Sequence, residues 1–204
     1  MKFEFRSNQN LPLLAWCGLI KRGEEVVCVE HGTGVDVAED FFVEGAWNGN
    51  FSSGGFSESE VFLGSGAIIR KEGVLFCPTT HSMDRLCSLR TNDMLFVSNS
   101  LIYLLEASGK WFDRSEWRYE YWFMSYLDGI DRAMTQFLVD SSVLKFHYCK
   151  PFTVNQALEI QTQDRPDLPR FRSYNDYMGT LRAWIRALTE NAADANRSKR
   201  FTPL

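Results

Sequence analysis

Two periodicities divide the chain. In the first half, apolar positions fall in short β-branched or aromatic runs closed by glycine, the signature of strands and tight turns. EEVVCVEHG, residues 24–32, is one such run. VFLGSGAIIRKEGVLFCPTT, residues 61–80, holds two runs around Arg70-Lys71-Glu72-Gly73 and predicts a hairpin, and DMLFVSNS, residues 93–100, adds a further strand. Between them, EGAWNGNFSSGGFSESE, residues 44–60, reads as a glycine- and serine-rich loop that is flexible or wraps something.

In the second half the spacing becomes helical. LIYLLEASG, residues 101–109, predicts a helix started by Ser98 or Ser100 and closed by Gly109. A second helix is expected from Ser115 to Gly129, with Ser115 as its cap and a dense aromatic face. Residues 143–163 return to strand, as two segments joined at Lys150-Pro151, and RPDLP, residues 165–169, reads as a turn. Ser173 and Asp176 then form a capping box ahead of Tyr174, Tyr177, Met178, Leu181, Trp184, Ile185 and Leu188, a stripe that predicts a helix packed on the core.

Composition adds a few constraints. With 204 residues, 45% of them apolar, and with 16 Phe, 7 Tyr and 6 Trp, the chain has enough apolar surface to order one domain, or one domain and a smaller appendage. The formal charge of −4 and a single short basic cluster, Arg197, Lys199 and Arg200, argue against nucleic acid as a partner. Cys17, Cys28, Cys77, Cys87 and Cys149 are scattered without a C-x-x-C pair, so zinc is not expected and each reads as a small buried hydrophobe of a reducing cytoplasm. No cleavable leader follows MKFEFR and no apolar run reaches a membrane-spanning length, so no membrane partner is expected.

Few segments carry a chemical signal. A hydrolase nucleophile elbow needs glycine on both sides of its serine, and Val97-Ser98-Asn99-Ser100-Leu101 has none, which leaves the helix cap as the reading. His31, His81 and His147 stand in no spacing with a carboxylate and a nucleophile. His81-Ser82-Met83-Asp84-Arg85 joins an imidazole, a carboxylate and a guanidinium in a loop after a strand, so His81, Asp84 and Arg85, with Asn99 of the elbow, are the candidate substrate-binding residues. No catalytic or metal-binding residue is assigned. Gly64-Ser65-Gly66 lacks the lysine of a phosphate loop and predicts a bulge or a close approach of two backbones.

The order strand, strand, strand into FVSNSLIYLLEASG, aromatic helix, and long helix ending in NAADANRSKRFTPL resembles the N-terminal half of asparagine-synthetase-like proteins. There a class II glutamine amidotransferase domain precedes an ATP-binding synthetase domain. The resemblance implies an α+β fold, a four-layer α-β-β-α sandwich of N-terminal-nucleophile type with two stacked, mainly antiparallel sheets. It implies a division into residues 1–165, a degenerate amidotransferase-like domain, and residues 166–204, a helix and linker leading to a C-terminal ATP-binding synthetase domain absent from this sequence. That domain would be the partner, and ATP and Mg would belong to it alone, with no cofactor in this chain. The sequence stops where that domain's first strand would begin, and so reads as one domain of a longer protein.

The departures from the family define the expected function. Its glutaminases attack with an N-terminal cysteine whose own α-amino group is the base, whereas this sequence opens Met1-Lys2 and its Asn48-Gly49 stands in unmatched surroundings. The resemblance therefore implies a non-catalytic domain that supports or regulates the synthetase domain through the helix from Tyr174 to Asn191 and the edge near the elbow. A stand-alone module binding a ligand or partner through its aromatic helix and residues 52–55 is the alternative. An active hydrolase using Cys77 or Cys87 with His81 is the third reading. A homo-oligomer is left open.

Overall fold

A computed structural model describes residues 1–113, 115, 118–129, 132–165 and 170–198. The described chain is α+β, built on two mainly antiparallel sheets. The first holds β1 (Lys2–Ser7), β2 (Trp16–Lys21), β3 (Val26–His31), β8 (Leu86–Arg90), β9 (Met94–Ser98), β10 (Gln136–Val139) and β11 (Ser142–His147), in the order β1-β3-β2-β9-β8-β11-β10. Its β1–β3 pair is parallel, Phe3 facing Val27. The second is ordered β13-β12-β7-β6-β5-β4, from β4 (Asp36–Val37), β5 (Phe41–Trp47), β6 (Phe62–Arg70), β7 (Gly73–Cys77), β12 (Phe152–Val154) and β13 (Ile160–Thr162).

Strand alternation sorts the side chains into three cores. On β9, Leu95 and Val97 turn to one face and Phe96 to the other; on β7, Val74 and Phe76 face opposite to Leu75 and Cys77. The inward set, which includes Trp16, Ile20, Phe42, Phe76 and Phe152, fills the space between the sheets. Burying each such side chain contributes roughly 1.5–3 kcal/mol, and Trp16 meets Phe42 edge-on at 4.8 Å between ring centroids.

The other face of the first sheet is covered by α1 (Leu101–Ser108), through Tyr103, Leu104 and Leu105. Ser100 caps that helix by accepting the Tyr103 amide at 3.3 Å, and Gly109 closes it in the left-handed region at φ 64°. The following helix is shorter than its sequence predicts: α2 spans Arg118–Met124 and tightens into a 3₁₀ turn at Ser125–Asp128. Ser115 lies ahead of it and donates its amide and hydroxyl to the Asp113 carboxylate.

On the second sheet, the hairpin at 61–80 forms as read, with Arg70 facing Gly73 across a two-residue turn. The glycine- and serine-rich stretch differs from its expectation. Residues 44–47 complete β5, and the rest winds into two 3₁₀ turns, Phe51–Ser53 and Gly55–Ser57, whose Phe51 and Phe56 pack on Trp47. The expected close approach in Gly64-Ser65-Gly66 is present: Gly64 (φ 151°) faces Gly45 (φ 95°), and a Cβ on either would come within 2.0 Å of the opposing carbonyl oxygen. The two strands read at 143–163 belong to different sheets, the chain crossing between them at Tyr148–Pro151.

α3 (Tyr174–Ala192) starts at the predicted cap, where the Ser173 hydroxyl accepts the Asp176 amide at 3.1 Å. Its stripe is not the core element predicted. Tyr174 is 74% exposed, Ile185 55% and Tyr177 40%, and the helix packs on β5 without burying any apolar side chain fully. Its far end is fixed by polar contacts. Asn191 donates to Gly49 O at 2.7 Å, and buried Arg197 pairs with Asp36 at 2.9 Å while its guanidinium lies over Phe51. The turn expected at 165–169 and the tail beyond Ser198 fall largely outside the described residues. Among the described residues, no helix is long and apolar enough to cross a membrane.

Candidate functional site

At the end of the inter-sheet space, the apolar alternation of β5 is broken by a carboxyl group. Phe42 points inward, and two residues on so does Glu44, directly across from Ser65 of β6. The start of β2 and the elbow after β9 close the site from the other sheet. Ser65 Oγ donates to Glu44 Oε1 at 2.7 Å and accepts the indole N–H of Trp16 at 2.9 Å. The Asn99 amide donates to Leu14 O at 2.9 Å and more weakly to Glu44 Oε1 at 3.4 Å, while its oxygen accepts the Trp16 amide at 3.0 Å. Glu44, Gly64, Ser65, Thr79, Asp84, Arg85 and Asn99 line a cleft of about 40 Å³. A water molecule occupies roughly 30 Å³ in the liquid, so the cleft admits one small polar group.

Burial raises the Glu44 carboxyl to about 7, the Asp84 charge adding to the rise and the bonds from Ser65 and Asn99 opposing it. Such a group exchanges its proton near neutrality and can accept one from a donor held in the cleft. The adjacent hydroxyl is not free to attack. Ser65 is buried, with its proton on Glu44 and a lone pair taken by Trp16.

The structure brings together three of the four candidate residues. Asp84 and Asn99 line the cleft, Asp84 exposed and Asn99 half-buried. Arg85 lines it too, but its guanidinium passes to the outer face of the first sheet, 4.3 Å from the centroid of the Phe146 ring. His81 stands apart in its loop, its Nδ1 accepting the Met83 amide at 3.1 Å. Sequence reasoning missed Glu44, Ser65 and Trp16. The available signal was a lone carboxylate in the apolar run FFVEGAW, two residues from an inward phenylalanine.

Other reactive groups are held inert. Burial pushes the thiols of Cys17, Cys77 and Cys87 up to about 12, which disfavours the thiolate a cysteine nucleophile needs. His147 and Ser88 form a buried pair, Nε2 to Oγ 2.8 Å, and desolvation lowers the imidazole to about 3, so it stays neutral. Met1 lines a different depression, with Lys71, Glu72 and Gly73 at the far end of the β6–β7 hairpin. From Ser65 to Arg70 that is ~17 Å of strand. Among the described residues, no three His, Cys, Asp or Glu side chains form a metal-binding group.

Fold and site together define a two-sheet α+β protein with an acidic polar cleft at one end of its inter-sheet core. Comparisons with protein-family models, with curated proteins and with solved structures found no match to this chain.

Proposed function

We propose that this chain is a non-catalytic domain of an asparagine-synthetase-like, ATP-dependent protein, with the four-layer fold of an N-terminal-nucleophile amidotransferase and without its reaction. The observation that carries the reading is the furnishing of the cleft. The strand that enters it is β2, at Trp16, and its lining offers a half-buried carboxyl, a locked serine and an amide. The glutaminases of that family attack with a cysteine, whereas the residues that line this cleft include none and its serine is held by Glu44 and Trp16. The layers α1, first sheet, second sheet and α3 support the same ancestry.

In this reading the domain supports or regulates a synthetase domain, which alone uses ATP and Mg, and the exposed stripe of α3 is the surface offered to it. Tyr, Trp and Arg dominate protein-protein contacts, and residues 170–186 carry Phe171, Tyr174, Tyr177 and Trp184 with Arg170, Arg172, Arg182 and Arg186. The test is ammonia release from glutamine by the purified chain, which should be absent. A steady rate that disappears in Cys77→Ala, or in Glu44→Gln, would replace this reading with an active hydrolase.

The alternative, a stand-alone binding module, rests on the cleft itself. It would hold the donor group of a small ligand on Glu44. In the stretch that this reading gives to ligand contact, residues 52–55, Ser52 and Ser53 are exposed between Phe51 and Phe56 of the Trp47 cluster.

A further inference from the structure

On the outer face of the first sheet, among the described residues, Arg85 Nε, Tyr126 Oη and Tyr148 Oη are shut off from solvent without a hydrogen-bond partner, as is Tyr103 Oη under α1. The first three come from neighbouring places. His147 of β11 faces Leu86 of β8, so continuing the antiparallel register sets Tyr148 against Arg85. The Tyr126 ring, in the 3₁₀ turn at Ser125–Asp128, meets the Tyr148 ring edge-on at 5.5 Å. The Tyr126 hydroxyl also feels the charge of Arg85.

We propose that Arg85, Tyr126 and Tyr148 form a binding site for one small monovalent anion, either a free halide or the carboxylate head of a ligand. Buried polar groups in folded proteins nearly always have partners, and three orphans side by side indicate a shared guest. The chemistry of the set selects its charge. Arg85 Nε donates only, and two phenolic hydroxyls turn readily to donate, so all three satisfy an acceptor at once. A guanidinium held over the Phe146 ring supplies one positive charge. The nearby Cys87 thiol adds no negative charge, since burial holds it protonated up to about 12. A single guanidinium matches a single negative charge. Arg85 also borders the Glu44 cleft, while Tyr126 and Tyr148 do not line it, and the site does not rest on the synthetase reading.

The test compares unfolding midpoints of the wild type, the double variant Tyr126→Phe/Tyr148→Phe, and Arg85→Gln, each titrated with potassium chloride and, separately, with potassium acetate from a low-salt buffer. General salt effects act on every variant alike, so the readout is the difference between proteins. Without either anion the double variant should be at least as stable as the wild type, because it loses two hydroxyls that have nothing to bond. With anion, the wild-type midpoint should rise saturably, while the double variant and Arg85→Gln should show an apparent affinity at least tenfold weaker. A response to chloride alone identifies a free ion, and a response to acetate alone identifies a carboxylate ligand. Equal responses of wild type and double variant to both salts would overturn the proposal.

Discussion

Half-buried Glu44 and buried His147 are titratable groups that desolvation shifts with opposite consequences. The Glu44 carboxyl has an ordinary value near 4.5 and holds its proton to about 7 when folded. Between these limits the folded chain binds more protons than the unfolded one, so this group's contribution to stability declines as pH rises. His147 runs the other way. Its imidazole falls from 6.5 to about 3, so the unfolded chain binds the extra proton and stability declines as pH falls through that range. Urea unfolding measured from pH 4 to 8 should show both limbs. Glu44→Gln should flatten the loss toward neutral pH, and Ser88→Ala/His147→Leu, which removes both partners of the buried pair, should flatten the acid limb. Identical pH profiles for wild type and variants would show that neither group is buried as described. Ser65→Ala should cost about 1–3 kcal/mol, because it strands the Trp16 indole N–H inside the core; equilibrium unfolding reads the loss directly.

Elements differ in how far their own residues announce them. The β6–β7 hairpin was legible because its apolar runs flank a turn with Gly73 in a conformation other residues avoid, at φ 148°. β10 was not, since its turn into β11 places Asp140 and Ser141 at φ 45° and 61° without a glycine to mark it. α1 and α3 were legible from cap and period, and Ser100→Ala should cost about 1 kcal/mol in equilibrium unfolding. What α3 packs against was not legible, because the same apolar stripe suits a core or a partner. Its attachment depends on a distant ion pair, Arg197 with Asp36, at 0% and 4% side-chain exposure. Asp36→Ala leaves that guanidinium buried and unpaired and should cost about 3–5 kcal/mol. Faster proteolysis within residues 170–198 should accompany the loss, and an unchanged digestion pattern would show that the pair does not hold the helix.

At the scale of the molecule, the two-sheet α+β architecture follows from alternation that puts Phe42, Phe76 and Trp16 between the sheets, Phe96 on the outer face of the first, and Leu75 and Trp47 on the outer face of the second. Sheet membership is a long-range property, and nothing local in residues 143–163 says that the chain changes sheets at Pro151. The site was half legible for a related reason. Asp84 and Asn99 lie in loops with visible polar clusters, whereas Glu44 and Ser65 are single polar residues within strands and become a pair only through the β5–β6 register. The central claim is that this cleft does not react. Its most direct test is ammonia release from glutamine by the purified chain, with Glu44→Gln and Cys77→Ala beside it. The account predicts no release above the buffer for all three proteins. Steady turnover by the wild type, lost in either variant, would contradict it.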